Sequence, residues 1–253
     1  MVISVAQAQL FFLALTRVLA IIIHLPVLAG PSVPNQVKIG LGILLAMVAL
    51  PWQPLPPEAP GLTTFAFSLA IGREVVIGTL AGFAAVLTFA ALQIAGEMMS
   101  IGSGFASGRV LNPAFESSGS AIDQLFIMTM MVLFFVINGH HGFLLAVQRT
   151  FTAIPLNSPL PDFSAEPLLR LTAQLILTGV QLALPITAAL LLTDLTLGLL
   201  ARVAPQIQVF FLGVPLKVMI ALIALILSLG VLFPTIAELF RALGPRSLEL
   251  VGV

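Results

Sequence analysis

The sequence predicts an all-α membrane protein of about six long apolar helices arranged in kinked hairpins. Three observations predict it. The chain is 59% hydrophobic and only 8% charged, where a soluble domain carries about 25% charged residues. Its apolar residues fall into runs near the length of about 20 residues that a helix needs to cross a bilayer. The alternating apolar and polar pattern of a membrane barrel strand is absent from those runs. A soluble core cannot hide so much apolar surface and still leave a wettable exterior. In lipid, helices satisfy every backbone group internally.

Taken in order, the apolar runs predict helices over roughly 7–29, 36–50, 63–96, 121–138, 168–200 and 209–233. Gly30-Pro31-Ser32-Val33-Pro34-Asn35 ends the first, because proline cannot continue the hydrogen-bond ladder. Pro51, Pro54, Pro56, Pro57 and Pro60 make the next connection stiff and non-helical. The stretch 138–167 is polar by the standard of this chain and contains Pro155, Pro159, Pro161 and Pro167, so the boundary between two halves falls there, at about residue 165. The third and fifth helices exceed one crossing and must tilt, bend or project, and Pro185 is expected to kink the fifth. No Lys or Arg precedes the first apolar run and Arg17 lies inside it, so the first helix is expected to be retained rather than cleaved as a signal peptide. Lys and Arg are shared evenly between the two sides of a six-span plan, so the positive-inside rule selects no orientation.

Charge and motif content restrict the function. Ten basic and ten acidic residues cancel, which argues against nucleic acid as a partner. With no cysteine, thiolate metal sites are excluded. His140-His141 is the one histidine pair; adjacent residues diverge on a helix, and no acid cluster with ligand spacing surrounds them. No phosphate loop, HExxH or nucleophile motif is present, so neither an enzymatic site nor a cofactor is expected. A small-solute transporter would need broken helices in two related halves, and the halves here are unequal.

Among the charged or titratable side chains that interrupt the apolar helices are Arg17, His24, Arg73, Glu74, Asp194 and Lys217. A charge at mid-bilayer costs about 2.5–3.5 kcal/mol on insertion scales. Such residues either line a pathway or sit in ion pairs and snorkel near helix ends. Arg73, Glu74, Asp194 and Lys217 are assigned to assembly contacts. Gly78 and Gly82 form a small-xxx-small pair that lets another backbone approach.

The stretch 95–120 reads as a long loop rich in glycine, serine and alanine, with Met98, Met99, Phe105 and Phe115 among them. Loops of this length are commonly functional, and at membrane depth they must line a cavity or be covered by protein. Two readings stand: a pore constriction or plug, since apolar constrictions gate by dewetting, or a solvated loop with a membrane-dipping edge.

Four stretches resemble the FliR/SctT family of type III secretion export-gate proteins: Gly72-Arg73-Glu74-Val75-Val76-Ile77-Gly78 followed by Gln93-Ile94-Ala95-Gly96-Glu97; the Gly-rich loop with Asn112-Pro113 and Ser117-Ser118-Gly119; Asn138-Gly139-His140 with Ile154-Pro155; and Ala204-Pro205-Gln206 through Phe210, Gly213, Pro215 and Lys217. The resemblance spans essentially the whole chain. Asn112 stands where an acid is common in the family, and the His140-His141 pair is less usual in it.

The resemblance implies a FliP-like half over 1–165, carrying a plug loop near 97–120, fused to a FliQ-like hairpin over 166–253. It implies a plug element in which Phe105, Phe115, Met98, Met99, Asn112 and Pro113 take part. It implies a non-enzymatic export-gate subunit in the bacterial inner membrane and flagellar basal body. The partners it implies are FliP and FliQ homologues in a hetero-oligomeric gate, FlhB and FlhA homologues, unfolded export substrates and the lipid bilayer. The injectisome branch of the family is the alternative, and the Asn-Gly-His turn with its Ile-Pro spacing leans flagellar.

Overall fold

A computed structural model describes residues 4–30, 33–50, 61–105, 120–159, 164–206 and 208–252, without the side chain of Phe210. Every regular element among the described residues is an α-helix. Among the described residues four helices are long and apolar enough to cross a membrane, and five spans result if one bent pair counts as a span.

α1 (Val5–Ile23) opens on a capping box: Gln7 N donates to Ser4 Oγ at 3.2 Å while Ser4 N donates to Gln7 Oε1 at 3.0 Å. The predicted first helix does not reach residue 29. Pro26 disfavours helical geometry at Leu25, which is extended (φ −78°, ψ 112°), and a separate turn, α2 (Pro26–Ala29), begins at that proline. α3 (Asn35–Ala49) is a shorter apolar helix.

α4 (Thr64–Ser103) has 40 residues, a length of about 60 Å at 1.5 Å per residue. The loop expected from residue 95 therefore begins later, and Met98 and Met99 belong to α4. Small residues and single glycines such as Gly96 weaken a helix without ending it. The end comes at Gly104, in the left-handed region (φ 81°), whose N–H donates to the Ile101 carbonyl.

α5 (Ala121–Val136) is capped by Ser120, whose hydroxyl accepts from Asp123 N at 3.3 Å. The chain turns 69° and continues as α6 (Gly139–Ala153), with Asn138 left-handed between them (φ 57°). α6 was not expected, because its stretch is polar on average. Its apolar residues are periodic rather than continuous: Phe143, Ala146, Val147, Thr150 and Phe151 are buried on one stripe.

α7 (Ala165–Val203) starts with Pro167 in its first turn and runs on through Pro185 as one helix. α8 (Val209–Arg241) follows, and a short amphipathic α9 (Leu243–Leu250) lies beyond the expected last helix. Along these helices hydroxyls fold back on their own backbone: Thr178, Thr193 and Thr196 each donate to the carbonyl four residues earlier at 2.8 Å. That arrangement satisfies a hydroxyl with no water present.

The helices gather into two compact units, each assembled from separate stretches of chain. One holds residues 1–88, 138–172 and 241–253; the other holds 89–137 and 173–240. In the first, α1 packs on α3 and α9 packs on α6. In the second, Phe89, Phe134 and Phe240 form a triangle with ring centroids 5.1–5.8 Å apart. Gly179 of α7 lies against the Ala91 carbonyl of α4, a closeness only a residue without a Cβ permits.

Candidate functional site

In the first unit, α1 and α4 run side by side in the same direction: Gly78 lies on Ala20 and the Arg17 carbonyl, and Gly82 on His24 and the Ile21 carbonyl. The small-xxx-small pair thus serves α1 of the same chain. Glu74, one turn before Gly78, is carried by this approach to Arg17. Arg17 Nε donates to Glu74 Oε2 at 2.5 Å, and the two side chains are 0% and 2% exposed. Arg17 Nη1 also donates to the Thr150 carbonyl at 2.9 Å and the Ile154 carbonyl at 2.7 Å. The guanidinium carbon stands 4.7 Å from the centre of the Phe151 ring. The arginine therefore meets a carboxylate, the negative end of α6 and an aromatic face, all favourable to a cation. Arg73, beside Glu74 in sequence, is half-buried and forms no ion pair with any described residue.

In the second unit, Lys217 of α8 pairs with Asp194 of α7. The lysine side chain is 21% exposed and the aspartate 45%. Around them both helices expose apolar residues, including Leu191, Leu195, Phe211 and Leu227. Exposed apolar faces of this extent mark a lipid or protein contact rather than a water-facing surface. Of the four charges assigned to assembly, the structure thus joins two to each other and ties Glu74 to Arg17, whose partner the sequence did not reveal.

The expected plug residues divide. Met99 is fully buried within α4, Met98 is half-buried beside it, and Phe105 is half-buried just past the Gly104 turn. Asn112, Pro113 and Phe115 lie outside the described residues. The histidines of the Asn-Gly-His turn do not diverge as expected: the His140 and His141 rings sit 4.2 Å apart at the first turn of α6. Between α3 and α6 runs an apolar groove lined by Leu45, Val48, Ala49, Leu144, Leu145 and His141. Among the described residues no three His, Asp or Glu side chains are placed to hold a metal ion.

The contributions of Thr150, Phe151 and Ile154 escaped the sequence reading, because two act through backbone carbonyls and one through a ring face. A signal for the pair itself was present. A buried arginine requires an anion, and Glu74 lies one turn from the glycines that mark the closest helix approach.

Comparison with known proteins covers nearly the whole chain. The family described as bacterial export proteins, family 1, matches residues 8–243. The flagellar biosynthetic protein FliR of Escherichia coli K12 is 32% identical, over 92% of this chain and 88% of its own. FliR of Bacillus subtilis 168 is 30% identical, over 91% and 90%. The Yop proteins translocation protein T of Yersinia pestis is 31% identical, over 86% and 84%. A match of this extent to helices rich in exposed apolar surface identifies the chain as a member of the bacterial export proteins, family 1.

Proposed function

We propose that this chain is an export-gate subunit of the bacterial flagellar type III export apparatus, helping to enclose the channel by which unfolded flagellar proteins cross the inner membrane. The observation that carries the reading is the near full-length similarity to FliR proteins of two distant bacteria. The role is non-enzymatic. In it, residues 1–165 act as a FliP-like half and 166–253 as a FliQ-like hairpin. FliP and FliQ homologues cover the exposed apolar faces of α7 and α8, and FlhB and FlhA homologues complete the apparatus. The 101–119 segment acts as the plug, with Phe105, Phe115, Asn112 and Pro113 in it and Met98 and Met99 supporting its base. Arg73 and the Asp194–Lys217 pair are the polar contacts of assembly.

Co-expression with the neighbouring FliP- and FliQ-like proteins tests this. Native mass spectrometry of the detergent-extracted complex is expected to give one stable assembly containing a single copy of this chain. A monomer or homodimer indifferent to those partners would overturn the reading.

Similarity to a Yop translocation protein supports a second reading, an injectisome gate that exports virulence proteins. Restoration of motility in a fliR-deficient host, set against restoration of effector secretion in an injectisome-deficient one, separates the two.

A further inference from the structure

α6 ends inside the protein. Thr150, Phe151 and Ile154 are between 1% and 5% exposed, and Pro155 prevents the helix from continuing. The last carbonyls of a helix have no partner of their own and, away from water, must find a donor. The Thr150 carbonyl already accepts from Ile154 N at 3.0 Å, and the Ile154 carbonyl has no helical N–H ahead of it. Arg17 Nη1 reaches both oxygens. Its Nη2 is buried without an oxygen partner, beside the ring of Phe151.

Two roles for this arginine are separable. It could serve chiefly as the counter-charge of Glu74, with the carbonyl contacts incidental. A buried ion pair of that kind is replaced by two apolar residues with little loss. Alternatively it serves the helix end, and the apolar replacement leaves a buried carbonyl orphaned.

The geometry favours the second role, since the guanidinium directs one hydrogen bond to the acid and two to α6. We propose that Arg17 is the positioning residue of α6, holding the end of that helix against α1 by capping its last carbonyls, with Glu74 as the counter-charge that lets an arginine be buried there. The second limb of the bent α5–α6 pair is thereby fixed to the first helix of the chain.

The chain contains no cysteine, so introduced pairs report proximity in membranes without background. Ile21→Cys with Val147→Cys reports the α1–α6 contact, because both residues line one small internal cavity. Leu19→Cys with Gly42→Cys reports the α1–α3 contact, where the Leu19 side chain lies against Gly42. Each pair is placed in the full-length chain carrying Glu74→Gln, or Arg17→Met together with Glu74→Met.

The double-methionine chain is expected to lose α1–α6 cross-linking roughly tenfold, the scale of one lost charge-assisted hydrogen bond, while α1–α3 cross-linking persists. Glu74→Gln leaves the guanidinium buried without its anion but keeps the cap on α6, so it is expected to lower the two cross-links in the same proportion. Wild-type α1–α6 yield in the double-methionine chain would overturn the proposal. So would loss of α1–α6 cross-linking alone in Glu74→Gln, with α1–α3 cross-linking unchanged, because α6 would then answer to the acid rather than to Arg17. Equal loss of both cross-links in the double-methionine chain would also overturn it, by showing that Arg17 serves the unit as a whole rather than α6.

Discussion

Gly78 lies directly against Ala20: a Cβ added to it would stand 2.6 Å from the Ala20 Cβ and 2.7 Å from the Arg17 carbonyl oxygen. The second atom is backbone and cannot step aside by changing rotamer. Gly78→Ala is therefore expected to push α4 away from α1, at a cost of about 1–3 kcal/mol for overpacking. Gly72 lies on the same helix with nothing within 4 Å of an added Cβ. Gly72→Ala should be neutral or stabilising by up to about 1 kcal/mol through helix propensity. Thermal unfolding of the two purified variants in detergent checks the contrast, and equal midpoints would refute the close-packing account.

The long apolar helices were legible in this sequence, but several of their ends were not. Ser4 with Gln7 and Gly104 each mark a boundary by a known local mechanism, yet the expected bounds near residues 7 and 96 passed over both. α6 was not legible as a span, because Gln148, Arg149 and the two histidines dilute an apolar stripe that only its periodicity reveals. The Arg17–Glu74 pairing spans 57 residues of sequence, and no local pattern encodes such a distance. The glycines that make it possible were visible as spacing, but not the helix they would meet.

The aromatic triangle of the second unit yields another contrast. Phe134 is 1% exposed and touches Phe89 and Phe240, whereas its neighbour Phe135 is 49% exposed. Phe134→Ala is expected to cost about 3–5 kcal/mol, the usual range for an aromatic deleted from a core. Phe135→Ala, which removes an edge contact with the Phe134 ring at 5.5 Å, should cost the isolated chain only about 0.5–1.5 kcal/mol. Denaturation in detergent reads both values, and a large effect of Phe135→Ala in the isolated chain would show that its face is covered within the chain.

Asp194 and Lys217 differ in setting from Arg17 and Glu74, being partly exposed on a hairpin surrounded by apolar side chains. Asp194→Asn leaves a cation without its anion, at an expected cost of about 1–2 kcal/mol, between that of a surface pair and a buried one. Exchanging the charges, Asp194→Lys with Lys217→Asp, should recover most of that loss when the chain is expressed without partners, because within the chain the two side chains pair with each other. The accumulation of each variant in membranes, measured by immunoblot, provides the check. No recovery in the exchanged chain would show that one of the two charges answers to a group outside the pair.

At the other end of the chain, α9 closes over α6 and is tied to the start of α7. A Cβ on Gly244 would lie 3.4 Å from the Gly142 carbonyl oxygen and 3.5 Å from the Ala146 Cβ, while Leu243 and Ser247 are buried. Arg170 and Glu249 add an ion pair at 2.8 Å, but their side chains are 64% and 44% exposed. Packing rather than charge should therefore hold α9 in place. Glu249→Gln is expected to change stability by less than about 1 kcal/mol, as exposed pairs do. Ending the chain after Arg241 removes the buried Leu243 and Leu250 and uncovers the flank of α6 at Gly142 and Ala146. Each leucine lost from a packed interface is worth about 2 kcal/mol or more, so the truncated chain should become protease-sensitive along 139–153. Limited proteolysis followed by mass mapping distinguishes the outcomes. If Glu249→Gln exposed α6 as fully as the truncation, charge rather than burial would be what seats the last helix.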